Sequence, residues 1–219
     1  MDRTILIALL VALGLALIVF ALWPGLDLAV SHAFDVDGHF IGDTPLGGWG
    51  RAFFRVAPYA LLTALGAAYG LRRFGLALPF APSGRAILFL VATMAIGPGL
   101  IVNLGMKDHL HRPRPVHVQE FGGEAAFKPW YEFDGACEKN CAFSSGEAAQ
   151  AFWMVAPALF VPLPWRPLAI AAALAFGFAA SLLRLAFGGH FLSDVTVGAL
   201  ISLIVVYGLK RAFWPRGGP

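Results

Sequence analysis

Apolar runs alternate with polar, Gly- and Pro-broken stretches along the whole chain. Residues 4–26 and 86–106 contain no charged side chain, and residues 148–165 and 168–183 are equally free of charge. About 20 apolar residues suffice to cross a bilayer as a helix. The pattern predicts six spans, at about 4–26, 53–71, 86–106, 148–165, 168–183 and 191–209. Pro157, Pro162 and Pro164 are expected to bend or end the fourth. The expected fold is therefore all-α, a six-transmembrane-helix bundle. No internal repeat or low-complexity linker divides it, so residues 1–219 are read as one domain.

Composition strengthens this reading. The chain is 58% hydrophobic and only 13% charged, whereas soluble domains carry roughly 25% charged residues. The first run is longer than the apolar part of a typical signal peptide and lacks a small-residue cleavage site after it. A retained helix is expected there. Six spans put both termini on one side, together with Arg3, the Arg72/Arg73/Arg85 loop, Arg166 and the Lys210/Arg211/Arg216 tail. The positive-inside rule makes that side cytoplasmic. Residues 27–51, 107–145 and 184–190 then face outward. These outer loops also hold Lys and Arg, and an anion-binding site there would account for them.

Three polar constellations lie on that outer side. The first is Arg184-Leu-Ala-Phe-Gly-Gly-His190-Phe-Leu-Ser-Asp194. Gly188-Gly189 should break a helix. His190 then begins the next helix, with Asp194 one turn on along the same face. Asp194 can orient the imidazole and leave its other nitrogen free to attack, while the planar fork of Arg184 suits phosphate. A local His–Asp hydrogen bond is the plainer reading. The second is Lys107-Asp-His-Leu-His-Arg112-Pro-Arg114-Pro115, whose prolines hold three cations on an extended path. A basic cluster at lipid headgroups is its plainer reading. The third is Ser144-Ser145-Gly146-Glu147 at a helix start, where unpaired N–H groups bind anions. Ser144 and Glu147 also fit a capping box. Together the three outline one site lined by Lys107, Arg114, Ser145, Gly146, Arg184, His190 and Asp194.

Cys137 and Cys141 lie in the long polar stretch. An oxidising compartment would favour a small disulfide loop between them, and free thiols are the alternative. Too few neighbouring ligands accompany them for a metal site.

In joint spacing these residues resemble the type 2 phosphatidic acid phosphatase superfamily of membrane lipid phosphatases. Lys107, six residues, then Arg114-Pro115 is similar to its first motif. Ser144-Ser145-Gly146-Glu147 is similar to the second, usually Pro-Ser-Gly-His. Arg184, five residues, His190, three residues, Asp194 is similar to the third. Leu183 stands where Ser usually precedes the Arg, and Glu147 replaces the second-motif His. The Ser-Gly-Glu form resembles a bacterial lipid A phosphatase-like branch.

The resemblance implies a phosphoric ester hydrolase. His190 would attack phosphorus to form a phosphohistidine, and Asp194 would hold the imidazolium. Lys107, Arg114, Arg184, Ser145 and the Gly146 N–H would neutralise the phosphoryl oxygens. Glu147 could protonate the leaving group if burial raised its pKa, with His109 or His111 as substitutes. No metal or other cofactor is expected. The expected partner is a phosphorylated membrane lipid (lipid A, phosphatidate, phosphatidylglycerophosphate or a polyprenyl diphosphate) and not nucleic acid. The expected setting is a bacterial inner membrane with the site facing the periplasm. A lipid phosphotransferase and a non-enzymatic lipid-binding or transport protein are the alternatives. Oligomeric state is not legible.

Overall fold

A computed structural model describes residues 2–76, 78, 81–107 and 109–215. Arg216, counted above among the cytoplasmic cations, lies outside the described residues. The chain is helical almost throughout. The long elements are α1 (Asp2–Leu22), α3 (Pro45–Arg73), α4 (Gly84–Met94), α7 (Arg166–Ala186) and α8 (Leu192–Phe213). Helix α4 runs on as a wider, π-type helix over Ala95–Met106. Pro98 lies inside it and cannot donate a backbone hydrogen bond, which disfavours regular α geometry there. Among the described residues, these make five helices long and apolar enough to cross a membrane.

Two boundaries differ from the sequence pattern. Helix α3 begins at Pro45 rather than near 53. Thr44 caps it by accepting from the Gly47 N–H at 3.0 Å, and Pro45 occupies the first turn. A cap and a first-turn proline outweigh the glycines that made this stretch read as loop. The stretch after α1 also contains a short helix, α2 (Gly25–His32), and a hairpin of two-residue strands, β1 (Asp35–Val36) with β2 (His39–Phe40).

The fourth predicted span is not one helix. It is α5 (Gly146–Phe152) and α6 (Val155–Ala158), joined by turns. This irregular segment runs through the interior. Trp153 is fully buried and donates its indole N–H to Thr93 Oγ1 at 2.9 Å. Broken backbone at membrane depth is tolerated when protein surrounds it, as here. Phe160, beyond α6, meets Phe89 and Trp214 edge to face.

Those rings belong to the end where α1 begins and α8 ends. Lys210 pairs with Asp2 at 3.1 Å, tying α8 to α1. Arg85 donates to the Phe213 carbonyl and lies over the Trp214 ring. The opposite end gathers the last turn of α7, the first turns of α5 and α8, and α2. All three polar constellations lie at that second end. Cys137 and Cys141 are joined there by a disulfide with Cα atoms 5.7 Å apart.

Candidate active site

Backbone hydrogen bonds stitch the three constellations together. The Val116 N–H donates to Gly188 O at 3.1 Å, Ala142 N–H to Arg112 O at 2.8 Å, and Ser145 N–H to Asp194 O at 3.0 Å. Segments 30 to 72 residues apart therefore share one floor. The glycine pair after α7 permits this. Gly188 has φ +56°, and a side chain on it would collide with the Phe40 ring. A side chain on Gly189 would occupy the place of the Arg184 guanidinium.

His190 sits just before α8 and is almost fully buried. Its Nδ1 lies 2.7 Å from the Ala142 carbonyl oxygen. A carbonyl only accepts, so Nδ1 carries the proton and Nε2 holds the lone pair. This corrects one expectation. Asp194 approaches the same nitrogen only to 3.6 Å, which is too long for a hydrogen bond. The backbone just before the third constellation, rather than the carboxylate, sets the tautomer. Burial pushes the His190 pKa down to about 4, helped by the charges of Arg184 and Arg114 and opposed by Asp194. The imidazole is therefore neutral at neutral pH.

Asp194 is held from the other side. Its Oδ1 accepts from Arg112 at 2.5 Å and its Oδ2 from the Phe191 N–H at 2.7 Å. Arg112, 1% exposed, also donates to Asp27 at 2.7 Å and to the Ser193 hydroxyl at 2.7 Å. Its guanidinium lies 4.4 Å from the centre of the Phe191 ring. Of the three cations in the second constellation, Arg112 is thus the one buried behind the histidine. Asp27 was not legible as part of the site. Its one signal is that it is the first charge after the long uncharged run 4–26.

Lys107 and Arg114 converge on a single residue. Lys107 Nζ donates to Asn140 Oδ1 at 2.9 Å, and Arg114 Nη2 to the Asn140 carbonyl at 2.8 Å. Asn140 belongs to the disulfide loop and has φ +54°. Burial is the main influence lowering the pKa of Arg114, and the neighbouring charge of Arg51 adds to it.

The helix start at α5 also departs from expectation. Ser145, not Ser144, is the cap, accepting from the Ala148 N–H at 3.3 Å. Ser144 is instead buried against Met106. Gly146 lies so close to Asn103 on the π-type helix that a side chain would collide with its amide.

Glu147 is clamped by two arginines. Arg51, near the N-terminal end of α3, donates to Oε1 at 2.7 Å, and Arg184 Nε lies 3.6 Å from Oε2. Burial alone would raise this carboxyl. Hydrogen bonds from Arg51 and the charges of Arg184, Arg51 and His190 outweigh it, leaving the pKa below the ordinary glutamate value. The raised pKa that a proton donor would need is therefore not met. Arg51 is a further cation that sequence reasoning passed over, because it stands in a stretch read as loop. Arg184 is 3% exposed, and its Nε has no hydrogen-bond partner among the described residues. Among those residues no three His, Cys, Asp or Glu side chains gather as a metal site.

A buried neutral histidine with a fixed tautomer thus stands near Arg184 and Arg114, a geometry suited to phosphoryl chemistry. The comparisons with known proteins agree. The model of the PAP2 superfamily matches residues 86–217. The lipid A 4'-phosphatase of Francisella tularensis subsp. novicida (strain U112) is 36% identical over 95% of this chain and 97% of that protein. The lipid A 4'-phosphatase of Rhizobium etli is 36% identical over 86% of this chain and 79% of its own. That of Rhizobium leguminosarum is 44% identical over 52% of this chain and 49% of its own. No solved structure matches. The chain belongs to the PAP2 superfamily and is a multi-pass membrane lipid phosphatase, a phosphoric ester hydrolase.

Proposed function

We propose that this protein hydrolyses a phosphate ester of lipid A through a phosphohistidine at His190, with its site on the periplasmic side of the inner membrane. The observation that carries the chemistry is the Nδ1 hydrogen bond to the Ala142 carbonyl, which leaves Nε2 as the one nucleophilic nitrogen. The substrate class rests on similarity along nearly the whole length to a lipid A 4'-phosphatase. The orientation rests on the basic end, where Arg72, Arg73 and Arg85 are exposed.

The reaction runs in two displacements. Nε2 attacks phosphorus, the bond from phosphorus to the lipid oxygen breaks, and the lipid alkoxide takes a proton from a water, whose hydroxide is neutralised by the proton that Glu147 collects and releases in the second step. Arg184, Arg114, Arg51, Lys107 and the Gly146 N–H hold the phosphoryl oxygens, where charge accumulates. The unpaired Nε of Arg184 supports an anion as its missing partner. Water then attacks phosphorus, and the electron pair of the P–N bond returns to Nε2. Glu147, ionised and beside the cations, takes the proton of that water. In this reading it is the base of the second step and not the acid of the first.

The test is phosphate release from lipid A by purified protein in detergent. His190→Ala should reduce the rate at least a thousandfold. Equal rates for parent and variant would reject the histidine as nucleophile. Phosphate appearing only on a second lipid, never free, would make the protein a phosphotransferase.

A further inference from the structure

The first outer helix contributes a buried carboxylate that the phosphoryl chemistry above does not use. Asp27 on α2 is 1% exposed and far in sequence from every recognisable motif. Three donors converge on it. Arg112 Nη2 lies 2.7 Å from Oδ2, the Ser193 hydroxyl 2.6 Å from the same oxygen, and the Ser193 N–H 2.8 Å from Oδ1. Neither the guanidinium nor the N–H can accept, so the arrangement fits an ionised carboxylate. Arg112 bridges from Asp27 to Asp194, and Asp194 lies beside the His190 ring.

The charges along this row decide what it does. Asp194 and Arg112 alone are neutral as a pair. A buried imidazolium needs a net negative neighbour, all the more with Arg184 and Arg114 nearby. Asp27 restores that negative charge, since two carboxylates and one guanidinium leave one unit. We infer that Asp27 is a positioning residue which, acting through Arg112, keeps the row behind His190 at one net negative charge and so stabilises the imidazolium formed on phosphoryl transfer. This rests on the phosphohistidine reading.

The groups facing Asp27 are Arg112, Asp194 and Ser193; those facing His190 are Asp194, Arg184, Arg114 and Glu147. Burial raises the Asp27 pKa, Arg112 opposes the rise, and Asp194 adds to it. A row that loses its charge in acid is the consequence.

The experiment is a charge-balance cycle on purified protein, measuring kcat/KM for lipid A against pH. Asp27→Asn makes the row neutral, Arg112→Gln makes it doubly negative, and the double variant returns it to one. Asp27→Asn should lower kcat roughly ten- to a hundredfold with KM changed less than threefold, and move the acid limb down by about one pH unit. Arg112→Gln should move the limb up. The double variant should bring the limb back to the parent position and be faster than Asp27→Asn alone. The limb position is read from the folded fraction, so a loss of folded protein does not imitate it. A limb unmoved in Asp27→Asn, or a double variant displaced further than both singles, would overturn the inference while leaving the nucleophile in place. An active His190→Ala would overturn the nucleophile and this role together.

Discussion

The two ends of the helix bundle use arginine in opposite ways. At the terminal end, Arg72, Arg73, Arg85 and Arg211 are exposed. At the other end, Arg112 and Arg184 are buried to 1% and 3% exposure. An exposed guanidinium keeps its hydration and orients the chain in the membrane. A buried one has lost its water and must find fixed anions. Arg112 has found two carboxylates, whereas Arg184 has only a carboxylate at 3.6 Å and an unpaired Nε. On the proposed reading one residue type serves topology, architecture and substrate binding, and burial with pairing tells these apart where sequence spacing does not.

Substitutions at the two ends should differ in kind and size. The largest loss of rate outside the nucleophile is expected for Arg184→Gln, about a hundred- to a thousandfold in kcat with lipid A. A fall of less than threefold would remove Arg184 from the phosphoryl site. Arg112→Ala should act on stability instead. It strands Asp27 and Asp194 in a dry interior and should cost roughly 3–5 kcal/mol, seen as a large drop in thermal midpoint in detergent. Glu147→Gln should slow phosphate release about ten- to a hundredfold and let phosphoenzyme accumulate. An unchanged phosphoenzyme level would exclude Glu147 from the second step.

Stability against pH sharpens the same contrast. The folded-state pKa of Glu147 is depressed. Its ion pairs therefore stabilise the fold above the ordinary glutamate pKa of about 4.3 and lose that contribution as pH falls through the lower folded value. Glu147→Gln should flatten this part of the acid unfolding curve, and an unchanged curve would mean the pair contributes nothing. The smallest effect is expected at the terminal end. Arg72→Gln with Arg73→Gln should change kcat by less than about twofold. A tenfold loss would erase the distinction between the ends.

Much of this was legible in the sequence, and its limits have physical causes. Long uncharged runs announced α1, α4, α7 and α8, because crossing a bilayer constrains composition strongly. The broken course of α5 and α6 was hidden, since a segment surrounded by protein needs no regular helix. Lys107, Arg114, Ser145, Gly146, Arg184, His190 and Asp194 are picked out as candidates by spacing at the ends of spans. Asp27 and Arg51 are not, because each reaches its partner across more than 80 residues of sequence and belongs to no local pattern. The tautomer of His190 was also hidden. It depends on a backbone carbonyl 48 residues away, and no side-chain motif records that.

The central claim is that phosphorus becomes bonded to His190. Rapid quenching in alkali of protein turning over phosphate-labelled lipid A, followed by peptide mass spectrometry, tests it directly. An alkali-stable, acid-labile phosphoryl group on the peptide carrying His190, more abundant in Glu147→Gln, is the predicted result. Full turnover with no phosphorylated peptide, or with the label on any other residue, would contradict the account.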